Sequence, residues 1–355
     1  MDPRGFPTTL PEFQKVFPDD AACARYLEAL RFPSGFTCPK CGWHGEPYRF
    51  ATRSSVVLRC RGCRDKGNIS LTAGTVMQST HTPLSTWFWA AYLVSTQTPG
   101  QSAVQFQRQL GLSRYETAFT ILHKLRSGLV RPERDAIGGE HPVEVDECYV
   151  GGETRGEGRG KHHKATVVGA VEVRSRENDG KKHRRGVYAG RLRLSVVSEP
   201  ETDGETTTDA AADTTGATGR DADTLTNFVK ANVRVGSTVR TDGWVGYAGL
   251  KDLGYKHAAL ALNGDPEKAE LHLPMIHLVF SNLKTWINGT HHGRIERKHL
   301  QAYLNEFTFR FNRRFYPATA FHSALGIAAH SVPPTYAQLY SGEWTHPAGA
   351  ARPAT

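Results

Sequence analysis

The chain has 355 residues, 39% of them hydrophobic, with a formal charge of +9. That length accommodates two or three domains. No apolar run approaches the length needed to span a bilayer, the best stretch being 87–94, and the opening MDPRGFPTTLPEFQKVF lacks the basic-then-apolar order of a secretory signal, so membrane and secreted classes are set aside. The charge is uneven. Residues 199–223 hold eight acids against one base, Arg220, and taking that −7 from the total of +9 leaves +16 on the remainder. A basic body of this size points to a polyanion partner, nucleic acid being the commonest, although solubility alone would use charge in the same way.

In chain order, residues 11–31 read as a short helix behind the start signal Asp19-Asp20. Next come Cys38-Pro-Lys-Cys41 and, eighteen residues later, Cys60-Arg-Gly-Cys63. Two such knuckles match the spacing of a four-thiolate structural Zn2+ site, with 48–50 and 56–59 as the strands of a zinc ribbon. The alternative is two disulfides. Only Cys23 and Cys148 lie outside the knuckles, a usage that fits a reducing cytosol. Residues 83–95 form an apolar helix. Then Val104, Phe106 and Leu110, the turn Gly111-Leu112-Ser113, and Ala118, Ile121, Leu122 and Leu125 give a helix-turn-helix pattern that ordinary helical hairpins share. Arg114, His123, Lys124 and Arg126 are its candidate DNA contacts.

After Pro132 the pattern becomes mixed α/β. Strands are expected at 141–150, 166–173, 188–197 and 237–242, and helices at 224–233, 271–287 and 299–311. Residues 199–223 are low-complexity and are expected to form a disordered acidic insertion, with a disordered tail after Glu343. In the first of these strands the period of two puts Val143 and Val145 on one face and Glu144, Asp146 and Cys148 on the other. Asp242 closes the last strand. Two such acids converging would hold a hard divalent cation, whereas two unrelated capping aspartates would read the same way in sequence. Cys148 is expected to be a small buried residue, and Glu144 a supporting acid beside Asp146.

The strings Val145-Asp146-Glu147-x-Tyr149-Val150-Gly151-Gly152, Thr241-Asp242-Gly243-Trp244-x-Gly246-Tyr247 and Asn288-Gly-Thr-His-His-Gly293, with the run from Lys298 to Arg314, resemble prokaryotic insertion-sequence transposases of the ISXO-like group. The resemblance covers roughly residues 11–320. It implies an N-terminal zinc ribbon and a ribonuclease-H-like DDE domain that cuts and joins double-stranded DNA with Mg2+ or Mn2+, Asp146 and Asp242 being the first two acidic ligands. The third ligand departs from the usual Glu, since the helix at 271–287 contains none. Family members tolerate other residues there, with a Lys seven positions on. His277 and Lys284 have that spacing and share a helical face, so His277 is expected as the third ligand and Lys284 as a phosphate contact. Rivals are Asn282, Glu296 and Glu306. His291 and His292 are expected in a helix-ending turn, and Arg310, Arg313 and Arg314 as backbone contacts or a solvated face.

The expected architecture is an α/β catalytic core, a ribonuclease-H-like mixed sheet flanked by helices, preceded by a zinc ribbon and a small helix-turn-helix-like domain. The boundaries are 1–75, 80–135, 140–320 and a C-terminal extension, 321–355. The expected protein is a cytoplasmic, nucleoid-associated transposase. It would bind terminal inverted repeats and target DNA as a dimer or larger, without a membrane. The alternative is an inactive or domesticated zinc-ribbon DNA-binding protein.

Overall fold

The computed structural model describes residues 7, 9–51, 56–63, 67–97, 99–131, 133–151, 164–176, 186–197, 219–260, 268, 271–293, 295–332, 334–341 and 350–351. In chain order the elements are α1 (Leu10–Val16), α2 (Asp20–Arg31), β1 (Tyr48–Ala51), β2 (Val56–Arg59), β3 (Asn68–Ser70), α3 (Leu84–Thr96), α4 (Ala103–Gln109), α5 (Tyr115–Ser127), β4 (Glu133–Arg134), β5 (Val143–Val150), β6 (Ala165–Ser175) and β7 (Val187–Val196). There follow α6 (Gly219–Asn232), β8 (Thr238–Thr241), a 3-10 turn (Val245–Leu250), β9 (Lys256–Ala259), α7 (Pro274–His291), α8 (Arg297–Asn312), α9 (Pro317–Ala328), α10 (Tyr336–Ser341) and β10 (Ala350–Ala351). By compactness the chain forms two units, Met1–Arg131 with Asn305–Pro347, and Pro132–Leu304 with Ala348–Thr355. Among the described residues no helix is long and apolar enough to cross a membrane.

In the first unit, the helix expected across 11–31 is two helices. Asp19 is where the second begins: its carboxylate accepts a 2.8 Å bond from the Ala22 amide, satisfying one of the donors that a helix start leaves free. Phe13, Phe17, Tyr26, Phe88, Tyr92 and Phe321 bring α1, α2, α3 and α9 into one aromatic core, with ring centroids 4.4 to 6.2 Å apart. The ribbon strands run antiparallel in the order β1-β2-β3, and their Leu58 and Ile69 join the same core. β3 and the separate helices α9 and α10 went unread in the sequence.

The second unit is built on a five-stranded sheet of order β7-β6-β5-β8-β9. β5, β6 and β7 form an antiparallel meander, while β8 runs parallel to β5 and β9 parallel to β8. A parallel neighbour needs a crossover, and α6 lies in the connection from β7 to β8. One face of the sheet, with Val143, Val145, Val168 and Ala170, packs against Leu225, Phe228 and Val229 of α6 and Tyr247 and Leu250 of the 3-10 turn. α7 packs on β5, β6 and β7.

Two expectations meet the structure differently. The helix expected from Thr224 already begins at Gly219, inside the stretch assigned to the acidic insertion, whose residues 199–218 lie outside the described ones. In the tail expected to be disordered, Ala350 and Ala351 pair parallel with Glu133 and Arg134, and 342–349 and 352–355 lie outside the described residues.

Candidate active site

The four cysteines come together as their spacing requires. Cys38 and Cys63 place their Sγ atoms 3.8 Å apart, Cys41 and Cys60 3.7 Å, and all four lie within 4.8 Å of one another. Four thiolates at about 2.3 Å from one zinc ion sit about 3.8 Å apart, whereas a disulfide needs about 2.05 Å, so the donor set fits structural Zn2+ and the disulfide alternative fails. Each knuckle is a tight turn. The Gly42 amide donates to the Cys38 carbonyl at 2.9 Å with φ of +73°, and the Gly62 amide donates to Cys60 Sγ at 3.2 Å.

The second constellation lies where β5 meets α7. Glu144 is fully buried, and its Oε2 accepts the Met275 amide at 2.7 Å and the Ile276 amide at 2.9 Å. These are free donors at the start of α7, the end where a carboxylate also meets the positive pole of the helix. Burial pushes the Glu144 carboxyl up to about 7, against the pull of those two amides. One residue after Ile276, His277 places Nε2 3.0 Å from Oδ2 of Asp146. Hydrogen bonding to Asp146 raises the His277 pKa, burial opposes, and the charges of Asp146, Glu144 and Asp242 add to the rise. Gly169 is the cross-strand partner of Asp146. A Cβ there would lie 2.9 Å from both Ile276 Cδ1 and Phe280 Cε1, so the missing side chain is what lets α7 approach the sheet beside Asp146.

Asp242 follows β8, the parallel neighbour of β5. Its Oδ1 accepts the Trp244 amide at 3.0 Å, and Gly243 turns the chain with φ of +80°. Burial raises the Asp242 carboxyl, and the Asp146 charge raises it further. Glu147, which the sequence reading left without a role, belongs to the same acidic group. Burial and then the charge of Asp146 push it up to about 8, and the buried Tyr247 side chain faces it. Its only sequence signal was adjacency to Asp146. Lys284, two turns beyond His277, is exposed, and burial pushes the Cys148 thiol up to about 12, with the Lys284 charge pulling against it.

The acidic donors fit a divalent cation by charge: three carboxyl groups with mutual repulsion gain most from a positive ion. The 3.0 Å between Asp146 and His277 also suits adjacent ligands about 2.1 Å from an octahedral ion. Among the described residues, however, only the four cysteines bring three or more such donor atoms within 4.8 Å.

The rival ligands lie elsewhere or are engaged. Asn282 is exposed on α7, and Glu296 makes a 2.9 Å ion pair with Lys298. Glu306 is fully buried in the first unit, 2.7 Å from Arg126 and 3.4 Å from Arg310. That pairing corrects two expectations. Arg126 and His123 are interior residues, 1% and 0% exposed, with His123 stacked on Phe119 at 4.1 Å, so neither faces DNA from α5. Arg310 is tied to the same buried carboxylate, while Arg313 lies over Phe309 at 3.9 Å and Arg314 over Phe311 at 4.0 Å. Arg114 remains exposed at the N-cap of α5, and Lys124 is half-buried. His292 ends α7 in the left-handed conformation, φ 52°, as a helix-ending turn requires.

Residues 137–312 match the ISXO2-like transposase domain, and residues 18–66 match the transposase zinc-ribbon domain. Searches against curated proteins and against solved structures found no match. The first match spans β5 through α8, with Asp146, Asp242 and His277 inside it, and the second spans both cysteine knuckles. The chain therefore belongs to the insertion-sequence transposases of the ISXO-like group.

Proposed function

We propose that the protein cuts the DNA at the ends of an insertion sequence and joins the freed ends to target DNA, using Asp146, Asp242 and His277 to hold Mg2+ or Mn2+. The observation that carries this reading is the 3.0 Å approach of His277 on α7 to Asp146 on β5, with Asp242 at the end of the adjacent parallel strand. The sheet order, an antiparallel meander extended by two parallel strands, supports a ribonuclease-H-like core. A bound divalent pair supplies Lewis-acid polarisation of the phosphodiester and activation of the attacking oxygen. Asp146 contributes a negative oxygen ligand from β5, and Asp242 another from the turn that follows β8. His277 contributes a neutral nitrogen once its proton is lost, which leaves the site one charge poorer than three carboxylates and more tolerant of Mn2+. Lys284 meets a backbone phosphate along the face of α7, and α4 with α5 forms a helix-turn-helix whose exposed start, Arg114 and Tyr115, faces DNA. The protein works in the cytoplasm on nucleoid DNA, as a dimer or larger, because two ends must be held.

A second reading has an observation of its own. A protonated His277 paired with Asp146 places a cation where the metal would sit, as an inactive DNA-binding relative would have it. One experiment separates the two. The full chain is incubated with labelled terminal-repeat DNA and Mg2+ or Mn2+, and nicked and joined products are scored. Cleavage and joining by the wild type, abolished in Asp146→Ala, support the transposase reading. Binding without cleavage in either metal supports the inactive relative, and nicking without joining indicates a nuclease.

A further inference from the structure

The zinc ribbon has two unlike faces. Cross-strand partners share a face, so Arg49, Val56, Leu58 and Ile69 lie on one side of the sheet, and Tyr48, Phe50, Val57 and Arg59 on the other. The first side turns inward at β2 and β3. Leu58 and Ile69 are 0% and 6% exposed, and Arg49 pairs with Glu28 of α2 at 2.7 Å. The other side carries aromatics that no core explains, for Tyr48 is 52% exposed and Phe50 48%. Arg59 is exposed in register with Tyr48, and Arg61 holds its guanidinium over the Tyr48 ring at 4.4 Å. Lys40 lies at the far edge of this sheet, donating to the Asn68 carbonyl at 3.2 Å. Among the described residues between 36 and 71, the knuckles and strands of the ribbon, the one acid is Glu46, and it pairs with Arg49, 3.0 Å away. The bare side is thus aromatic and positive.

We propose that this face of the ribbon, Tyr48, Phe50, Arg59 and Arg61, is a docking surface for double-stranded DNA, and it rests on the DNA-processing reading above. Arginines beside exposed aromatic rings suit a phosphate backbone, and the ring under Arg61 fixes its planar fork in advance, so less freedom is lost on contact. The Tyr48 ring carries Arg61 on one face, which favours contact with phosphate and sugar over insertion between bases. The four-cysteine cluster ties the two knuckles together beneath the scaffold of this face.

The test uses the full zinc-loaded chain and terminal-repeat duplex, with binding measured across a salt series and zinc content measured for each variant. Arg59→Ala and Arg61→Ala each weaken binding about 5- to 10-fold near 0.1 M salt and lower the salt slope by about 1. Tyr48→Ala and Phe50→Ala weaken binding with the slope unchanged, and Tyr48→Phe restores it. Arg25→Ala, the same charge removed from an exposed site on α2, leaves binding within about 2-fold. Zinc-loaded face variants that bind as the wild type does overturn the proposal, even where the wild type cleaves. A loss confined to single-stranded DNA overturns the choice of duplex. Weakened binding by the face variants of a wild type that never cleaves supports the face and removes the transposase reading. A wild type that binds no DNA overturns both.

Discussion

Single residues show best what a sequence can and cannot announce. The faces of Asp146 and His277, whose side chains meet at 3.0 Å, were readable because each follows a local period, two along a strand and 3.6 around a helix, and a match in period brings out a face without any knowledge of the partner. Arg126 and His123 satisfied the pattern for DNA contacts equally well, but both are buried, and Arg126 is held by a carboxylate 180 positions away, which no local rule reports. Glu172 is another such residue. It is fully buried on β6 and accepts from the Gly138 amide at 3.1 Å, from Arg174 Nη2 at 2.8 Å and from Arg191 Nη2 at 2.7 Å. Burial alone would raise its carboxyl, but the hydrogen bonds from Arg191, Gly138 and Arg174 outweigh it and bring it down to about 2. A folded value below the unfolded one means stability that is full above the unfolded range near pH 4.5 and is lost as pH falls towards 2. The contribution at neutral pH is about 3 kcal/mol. Urea unfolding of the wild type should therefore lose stability between pH 5 and pH 3, and Glu172→Gln should flatten that limb. An equal acid slope in the two proteins would show that other carboxylates govern it.

At the scale of elements, β5 followed from β-branched residues alternating with acids, β6 from a continuous apolar run, β7 from Arg191 and Arg193 alternating with Leu192 and Leu194, and α7 from one apolar stripe. β9 was missed because Lys256–Ala259 is short and largely exposed, so it pairs by its backbone without an apolar signature. The docking of α7 was also invisible, since it depends on Glu144 meeting amides 131 and 132 positions later and on the gap left by Gly169. Together these fix the height and rotation of the helix that carries His277. Gly169→Ala forces its new methyl against Ile276, Phe280 and Leu194, an overpacking that costs about 1–3 kcal/mol. These atoms are side-chain tips in a packed core, two of them on α7, so their displacement moves α7 against β5; on the proposed function His277 rides with it, and about 1 Å of misplacement is enough for a loss near 100-fold. Gly169→Ala should therefore lower the DNA cleavage rate by about 10- to 100-fold while the protein still folds. Gly289→Ala in the same helix is the control, because a methyl there meets nothing within 4 Å. Full cleavage by Gly169→Ala would show that α7 does not need this approach.

For the molecule as a whole, the order of modules was legible because each has its own local grammar: paired knuckles, then helices, then β-rich segments with acids at set places. Their grouping was not. The sequence reading puts the N-terminal helix and ribbon at 1–75 and further helices at 80–135, whereas Leu58, Cys38, Cys60 and Ile69 of the ribbon share one core with Phe88 of α3 and Phe321 of α9. Such sharing depends on which apolar faces meet across hundreds of residues. It has a consequence for zinc. In a free-standing ribbon the metal would fold only the ribbon, whereas here two of the four ligands, Cys38 and Cys60, are themselves part of that core. Zinc binding is worth on the order of 10 kcal/mol in small ribbons, comparable with the whole stability of a domain. Removing it with a chelator, or changing Cys41→Ser, should expose amides of α2 and α3 to hydrogen exchange as well as those of β1 to β3. Amides of β5, β6 and β8, whose cluster is built of other residues, should keep their protection. Exchange confined to the ribbon strands would mean that α2 and α3 hold their packing without it, and a loss extending equally to β5 and β6 would mean that the two cores fail as one.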